Sequence, residues 1–107
     1  MKINYQHVGI VGAGAMGRGI AQIAAQAGSQ VHLFDVNAAA VQQAHAAVLA
    51  QWDKLLEKGR IDAAQHQAYQ ASLQPAATLA DLAPCDLVIE AAIERLDIKR
   101  KLFADLE

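Results

Sequence analysis

The chain has 107 residues, which bounds it to a single domain with a modest core. It balances 9 basic against 11 acidic residues for a formal net charge of −2, which argues against the clustered basic surface that nucleic acid requires. One cysteine, Cys85, rules out an internal disulfide and leaves zinc-type spacing without partners, so no metal site is expected and the thiol reads as a small buried side chain. Hydrophobic residues make up 54% of the chain, and much of that share is alanine, which suits helices packed closely on a sheet. Met1–Gln6 has no apolar core of a secretory leader, and no run of about 18 apolar residues could span a bilayer. A cytoplasmic protein without membrane contact is expected.

His7–Val11 is a short apolar run ending in glycines, as a buried parallel strand would be. From Ala15 to Ala27 the apolar positions Met16, Ile20, Ile23, Ala24 and Ala27 recur at spacings of three and four, which predicts a helix. Gly28 stands where a left-handed cap would end it. Val31–Asp35 is the second strand, with His32 on a sheet face or near solvent. Asn37 is a good N-cap for a long second helix with Val41, Ala44, Val48, Trp52 and Leu55 as its inward stripe, broadened by Leu49 and Leu56. Lys58-Gly59 ends it, and Asp62 caps a further helix to about Leu73.

Pro75 breaks that helix, and residues 73–77 supply a short edge strand. Asp81 and Leu82 lie in a connecting turn, Asp86–Ala91 is another almost wholly apolar strand, and a last helix is expected from Leu96 through Ile98, Leu102, Phe103 and Leu106. With no later strand to pair it, the far edge of Asp86–Ala91 would stay bare. The order implies an α/β, Rossmann-type doubly wound parallel sheet with a helical hairpin inserted after its second strand.

Gly12-Ala13-Gly14-Ala15-Met16-Gly17 directly follows a strand and opens a helix, the context that turns a G-x-G-x-x-G spacing into a nucleotide-binding signal. Gly12 makes the tight turn, Gly14 lets backbone approach a pyrophosphate, and Gly17 lets helix and strand pack closely. The amides of this loop, including Ala15 and Met16, and the positive end of the helix dipole would hold the anion. Asp35 follows Gly17 by 18 residues, close to the distance of about 20 at which an acidic side chain takes the adenosine ribose. Its carboxylate accepts from a 2′-hydroxyl and repels a 2′-phosphate, and no arginine follows in Val36-Asn37, so NAD is favoured over NADP.

From Gly12 through Ala21 the sequence resembles the L-3-hydroxyacyl-CoA dehydrogenases, of the 3-hydroxybutyryl-CoA dehydrogenase type. The likeness is reinforced at Val31–Asp35 and Lys54–Gly59, is strongest from Asp86 to Glu94 and on to Lys99, and spans about His7 to Glu107. The resemblance implies hydride transfer between NAD and the C3 hydroxyl of an acyl-CoA in fatty-acid or related degradation. It implies that Asp35 holds the ribose, that Glu94 and Lys99 approach the nicotinamide end, and that Lys58 lies near the CoA phosphates. Glu94 and Lys99 also read as an i,i+5 pair on a solvated helix face, and Lys58 as an exposed helix-end lysine. Glu90 reads as structural and Arg18 as a solvated or anion-flanking residue. The chain departs from the family pattern at Gln51, where a hydroxyl residue can stand, and at Arg95, where asparagine is frequent.

The family's catalytic histidine, its glutamate partner and its helical substrate and dimerisation domain lie downstream of the region matched here. None of His7, His32, His45 and His66 has the catalytic context, so residues 1–107 are expected to be the amino-terminal, NAD-binding part of a longer, homodimeric enzyme with its catalyst beyond Glu107. Two alternatives remain open from sequence. One is a dehydrogenase of the 3-hydroxyisobutyrate and 6-phosphogluconate group, which shares a glycine motif followed by Met-Gly. The other is a non-catalytic NAD-binding module.

Overall fold

The computed structural model describes residues 6–92 and the strand backbone of 95–100. The elements are β1 (His7–Val11), α1 (Ala15–Gln26), β2 (Gln30–Phe34), α2 (Ala38–Glu57), α3 (Ala63–Ser72), β3 (Leu73–Pro75), a 3₁₀ turn (Leu79–Leu82), β4 (Leu87–Ala92) and β5 (Arg95–Arg100). They build one sheet in the order β3-β2-β1-β4-β5. β1 pairs in parallel with β2 and β4, and β2 in parallel with β3. The chain therefore winds outward from β1 through β2 to β3, then crosses back to place β4 on the other side of β1. Open α/β sheets bind ligands where the winding reverses in this way, outside the carboxyl ends of the strands.

Local chemistry accounts for the helix ends. Asn37 caps α2 by accepting from the amides of Ala39 and Ala40 at 3.0 and 3.3 Å. Asp62 and Gln65 form a reciprocal capping box at the start of α3. Gly28 at φ +105° and Gly59 at φ +73° turn the chain out of α1 and α2.

Strand alternation divides the sheet residues between two faces. Val8, Ile10, Val31 and Leu33 point to the helices and form the main core with Ala21, Ala24, Ala25, Val41, Ala44, Val48 and Trp52. Trp52 is completely buried, donates from its indole Nε1 to Gln26 Oε1 at 3.0 Å, and packs on Tyr69 with ring centroids 5.6 Å apart. One side chain of α2 thus locks α1 and α3 together. α1 meets the core mainly through small residues, Gly17, Ala21, Ala24 and Ala25. The larger Met16 and Ile23, part of its apolar periodicity, are 48% and 60% exposed, because close approach of helix to sheet selects the small face. Leu56, expected to broaden the stripe of α2, is also exposed.

The end of the chain differs from expectation. Residues 95–100 are not the start of a helix but the strand β5, antiparallel to β4, with Leu87 opposite Arg100 and Ala92 opposite Arg95. Leu96 and Ile98 alternate with Arg95, Asp97 and Lys99, a period-two pattern compatible with a strand. The unpaired edge of β4 offers that segment a row of donors and acceptors, so the edge expected to be bare is covered. The rest of the expected helix, 101–107, lies outside the described residues.

Candidate nucleotide site

The glycine loop leaves β1 and wraps around the start of α1. Gly12 sits at φ +113°, a left-handed conformation that side chains other than glycine rarely adopt, and its amide donates to the Phe34 carbonyl of β2 at 2.7 Å. A Cβ on Gly17 would lie 1.7 Å from the Gly12 carbonyl oxygen, so only glycine allows the first turn of α1 to close on the loop. A Cβ on Gly14 would meet nothing within 4 Å, so backbone there faces open space. Gly14 is the N-cap of α1, and no side chain caps the helix. First-turn amides together with the positive end of the helix dipole suit this opening to an anion. Ala15 and Met16 are exposed beside it. The sequence assigned Gly17 to helix–strand packing, and the structure adds that its nearest neighbour is the loop carbonyl.

Asp35 follows the end of β2 and is half-buried. Its Oδ2 accepts from the Ala13 amide at 2.8 Å and its Oδ1 from the Asn37 amide at 2.8 Å. One carboxylate therefore ties the glycine loop to the start of α2. Each oxygen keeps acceptor capacity beyond the bond it makes, which a ribose hydroxyl can use. Between these anchors Val36 is 93% exposed. The Asp35–Ala13 bond was not read from sequence, because it spans 22 positions and involves a backbone amide that no motif marks.

Lys58 is exposed at the C-cap of α2, roughly 30 Å along that helix from Asn37. Arg18 and Gln51 line a groove of about 360 Å³ between α1 and α2 that reaches Ala15 at the start of α1, with Gly19 and Ala47 in its wall. Glu94 lies outside the described residues. Lys99 is in β5 opposite Val88, so its backbone stands beside the amino-terminal half of β4 and not at the carboxyl end.

None of the four histidines belongs to the site. His7 begins β1, and His32 stacks on it with centroids 5.9 Å apart, on the sheet face away from the helices. Burial lowers the His32 pKa from its ordinary value of 6.5, His7 acts in the same direction, and Asp81 opposes both. His45 lies within α2. His66 Nε2 meets Asp53 Oδ1 at 2.6 Å, the arrangement of a base with its orienting acid. That pair belongs to the helical hairpin, however, with Asp53 roughly 24 Å along α2 from its N-cap. Cys85 is fully buried, as expected. Among the described residues no group of three or more His, Cys, Asp or Glu side chains is placed to hold a metal, and no helix is long and apolar enough to cross a membrane.

Residues 7–107 match the family model described as the NAD binding domain of 3-hydroxyacyl-CoA dehydrogenase. The 3-hydroxyadipyl-CoA dehydrogenase of Escherichia coli K12 is 42% identical over 106 residues, covering 99% of this chain and 22% of that protein. A 3-hydroxybutyryl-CoA dehydrogenase of Bradyrhizobium diazoefficiens is 39% identical over 99 residues, covering 92% of this chain and 34% of that protein. The crystal structure of (S)-3-hydroxybutyryl-CoA dehydrogenase from Ralstonia eutropha superposes with a TM-score of 0.79 at 40% identity, over 86% of this chain and 32% of that one. The chain spans between 22% and 34% of the length of these relatives. Its glycine cradle and Asp35 fit the cofactor that the family model names, and the chain belongs to the NAD-binding domain family of the 3-hydroxyacyl-CoA dehydrogenases.

Proposed function

We propose that this chain is the cofactor-binding part of an enzyme that oxidises L-3-hydroxyacyl-CoA to 3-ketoacyl-CoA with NAD. The observation that carries the reading is the bracket at the carboxyl end of the sheet, where the uncapped start of α1 and the Asp35 carboxylate are held together by the Ala13 amide. The backbone of Gly12, Gly14, Ala15, Met16 and Gly17 takes the pyrophosphate, and Asp35 accepts from the adenosine ribose. When bound, NAD supplies a hydride acceptor. This chain's residues fix the position of the cofactor and do not move the substrate proton, because none of the histidines described stands at the carboxyl end of the sheet. The general base and the acyl-CoA cleft are assigned to residues beyond Glu107, in keeping with the greater length of the relatives.

Glu94 at the nicotinamide end, and Lys58 at the CoA phosphates, belong to the same reading and rest on family resemblance; Lys99 is not carried with them, because its backbone pairs with Val88 in the amino-terminal half of β4. A cytoplasmic setting and a homodimeric parent enzyme complete it. The 107-residue chain should bind NADH saturably and reduce acetoacetyl-CoA at no more than background rate. The full-length gene product should reduce acetoacetyl-CoA and leave free 2-methyl-3-oxo acids untouched. Appreciable turnover by the 107-residue chain alone would overturn the placement of the catalyst elsewhere.

A further inference from the structure

The glycine loop offers amides to a pyrophosphate but little positive charge. The pyrophosphate of NAD is a dianion, residues 12–17 contain no cation, and Asp35 on the Ala13 amide is itself an anion. Glu90 adds a second carboxylate in β4, opposite Val11 at the end of β1. The basic residues with described side chains are Arg18, Lys54, Lys58 and Arg60. Lys54 stands roughly 24 Å along α2 from its first residue, and Lys58 and Arg60 follow it. Of the four, Arg18 alone lies within a turn of the glycine loop, its amide donating to the Gly14 carbonyl at 2.9 Å.

A helical side chain leans toward the helix N-terminus and covers the turn before its own Cα. For Arg18 that turn begins at Gly14, where a Cβ would meet nothing within 4 Å. The groove that Arg18 lines runs to Ala15, and the small residues Gly19 and Ala47 leave room along it. From α2 the groove is faced by Ala47, Val48 and Gln51, none of them acidic. Arg18 is exposed, and its side chain makes no hydrogen bond or ion pair among the described residues. The guanidinium is therefore uncommitted and within reach of the open helix start. We propose that Arg18 is a cofactor-binding residue whose guanidinium offsets the pyrophosphate charge from the α2 side of the glycine loop. This rests on the placement of NAD at that loop proposed above, and it decides the reading of Arg18 in favour of anion contact over simple solvation.

The experiment titrates the 107-residue chain and its Arg18 variants with NADH by nucleotide fluorescence, and with ADP and adenosine by ¹⁵N amide shifts at Asp35 and Asn37. Thermal melts confirm that each variant folds. Arg18→Gln keeps the side-chain length and helix propensity, and should weaken NADH and ADP about fivefold at low salt, the value of a charge contact at an exposed site. Adenosine keeps the ribose and carries no phosphate, so it should bind native chain and variant alike. Arg18→Lys keeps the charge and should stay within about twofold of the native chain. Raising the ionic strength from about 0.01 M to about 1 M shortens the Debye length from about 30 to about 3 Å, so the gap between native chain and Arg18→Gln should close. Native NADH affinity in Arg18→Gln at low salt overturns the proposal. So does a variant in which adenosine weakens as far as ADP, or in which the gap survives high salt, since either reports a loosened loop and not a lost charge. If the native chain binds neither NADH nor ADP saturably, the cofactor placement itself has failed, and that result comes before Arg18 is altered.

Discussion

The two faces of the sheet are built differently. On one, Val8, Ile10, Val31 and Leu33 meet three helices, and fully buried Trp52 ties α1 and α3 to α2. On the other, the described buried cluster is Ala76, Leu82 and Cys85, with Val11, Phe34 and Val88 packed against it. That second face also carries the His7–His32 stack, where buried Nδ1 of His7 and Nε2 of His32 have no hydrogen-bond partner among the described residues. The helical face is closed by segments adjacent in sequence to the strands they cover. It therefore holds most of the described core, while the other face tolerates titratable rings. The proposed nucleotide site belongs to neither face; it is assigned to the strand ends, where Gly12 and Asp35 stitch β1 to β2.

The largest test of this contrast is Trp52→Ala. Deleting a completely buried aromatic that joins three helices should cost about 3–5 kcal/mol, measured by denaturant unfolding. The opposite face should respond less. A Cβ on Gly9 would lie 2.8 Å from Leu82 Cγ and 3.2 Å from Cys85 Sγ, so these buried side chains must give way and Gly9→Ala should cost roughly 1–3 kcal/mol. An equal or greater loss at Gly9 would break the contrast.

The histidine stack should make the second face sensitive to pH. His32 has a lowered folded-state pKa, so both states carry the neutral ring above pH 6.5 and its contribution to stability is complete there. As pH falls below 6.5 the unfolded chain takes the proton first, and stability declines until the folded pKa is passed. Melting temperatures compared on either side of pH 6.5 should fall more on acidification for the native chain than for His32→Leu. The smallest effect expected is at the exposed end of the helical hairpin. Removing Asp53, whose side chain is 64% exposed, from its pair with His66 should cost about 0–1 kcal/mol.

What the sequence made legible is what it encodes locally. The glycine spacing, the caps Asn37 and Asp62 and the glycines at 28 and 59 each act within a turn of the residues they organise, and the elements they delimit stand where the sequence put them. Periodicity alone did not say that α1 would bury its alanines and leave Met16 and Ile23 exposed, because that choice depends on how closely the sheet approaches. Residues 95–100 alternate as a strand does, while the helix expected from Leu96 drew on Leu102, Phe103 and Leu106 beyond them; for 95–100 the neighbouring strand edge decided. Of the site, the loop and Asp35 were readable. The bond from Asp35 to the Ala13 amide was not, since it joins two segments brought together only by the parallel pairing of β1 and β2.

The central claim is that the cofactor binds across that bond, at the strand ends and on neither face. Backbone amide shifts of the ¹⁵N-labelled chain during an NADH titration test it most directly. Saturable shifts should concentrate at Gly12–Gly17 and Asp35–Asn37, with little change at Leu79–Leu82 or around His7 and His32. Shifts confined to the 3₁₀ turn and the histidine face, or none that saturate at the glycine loop, would contradict the account.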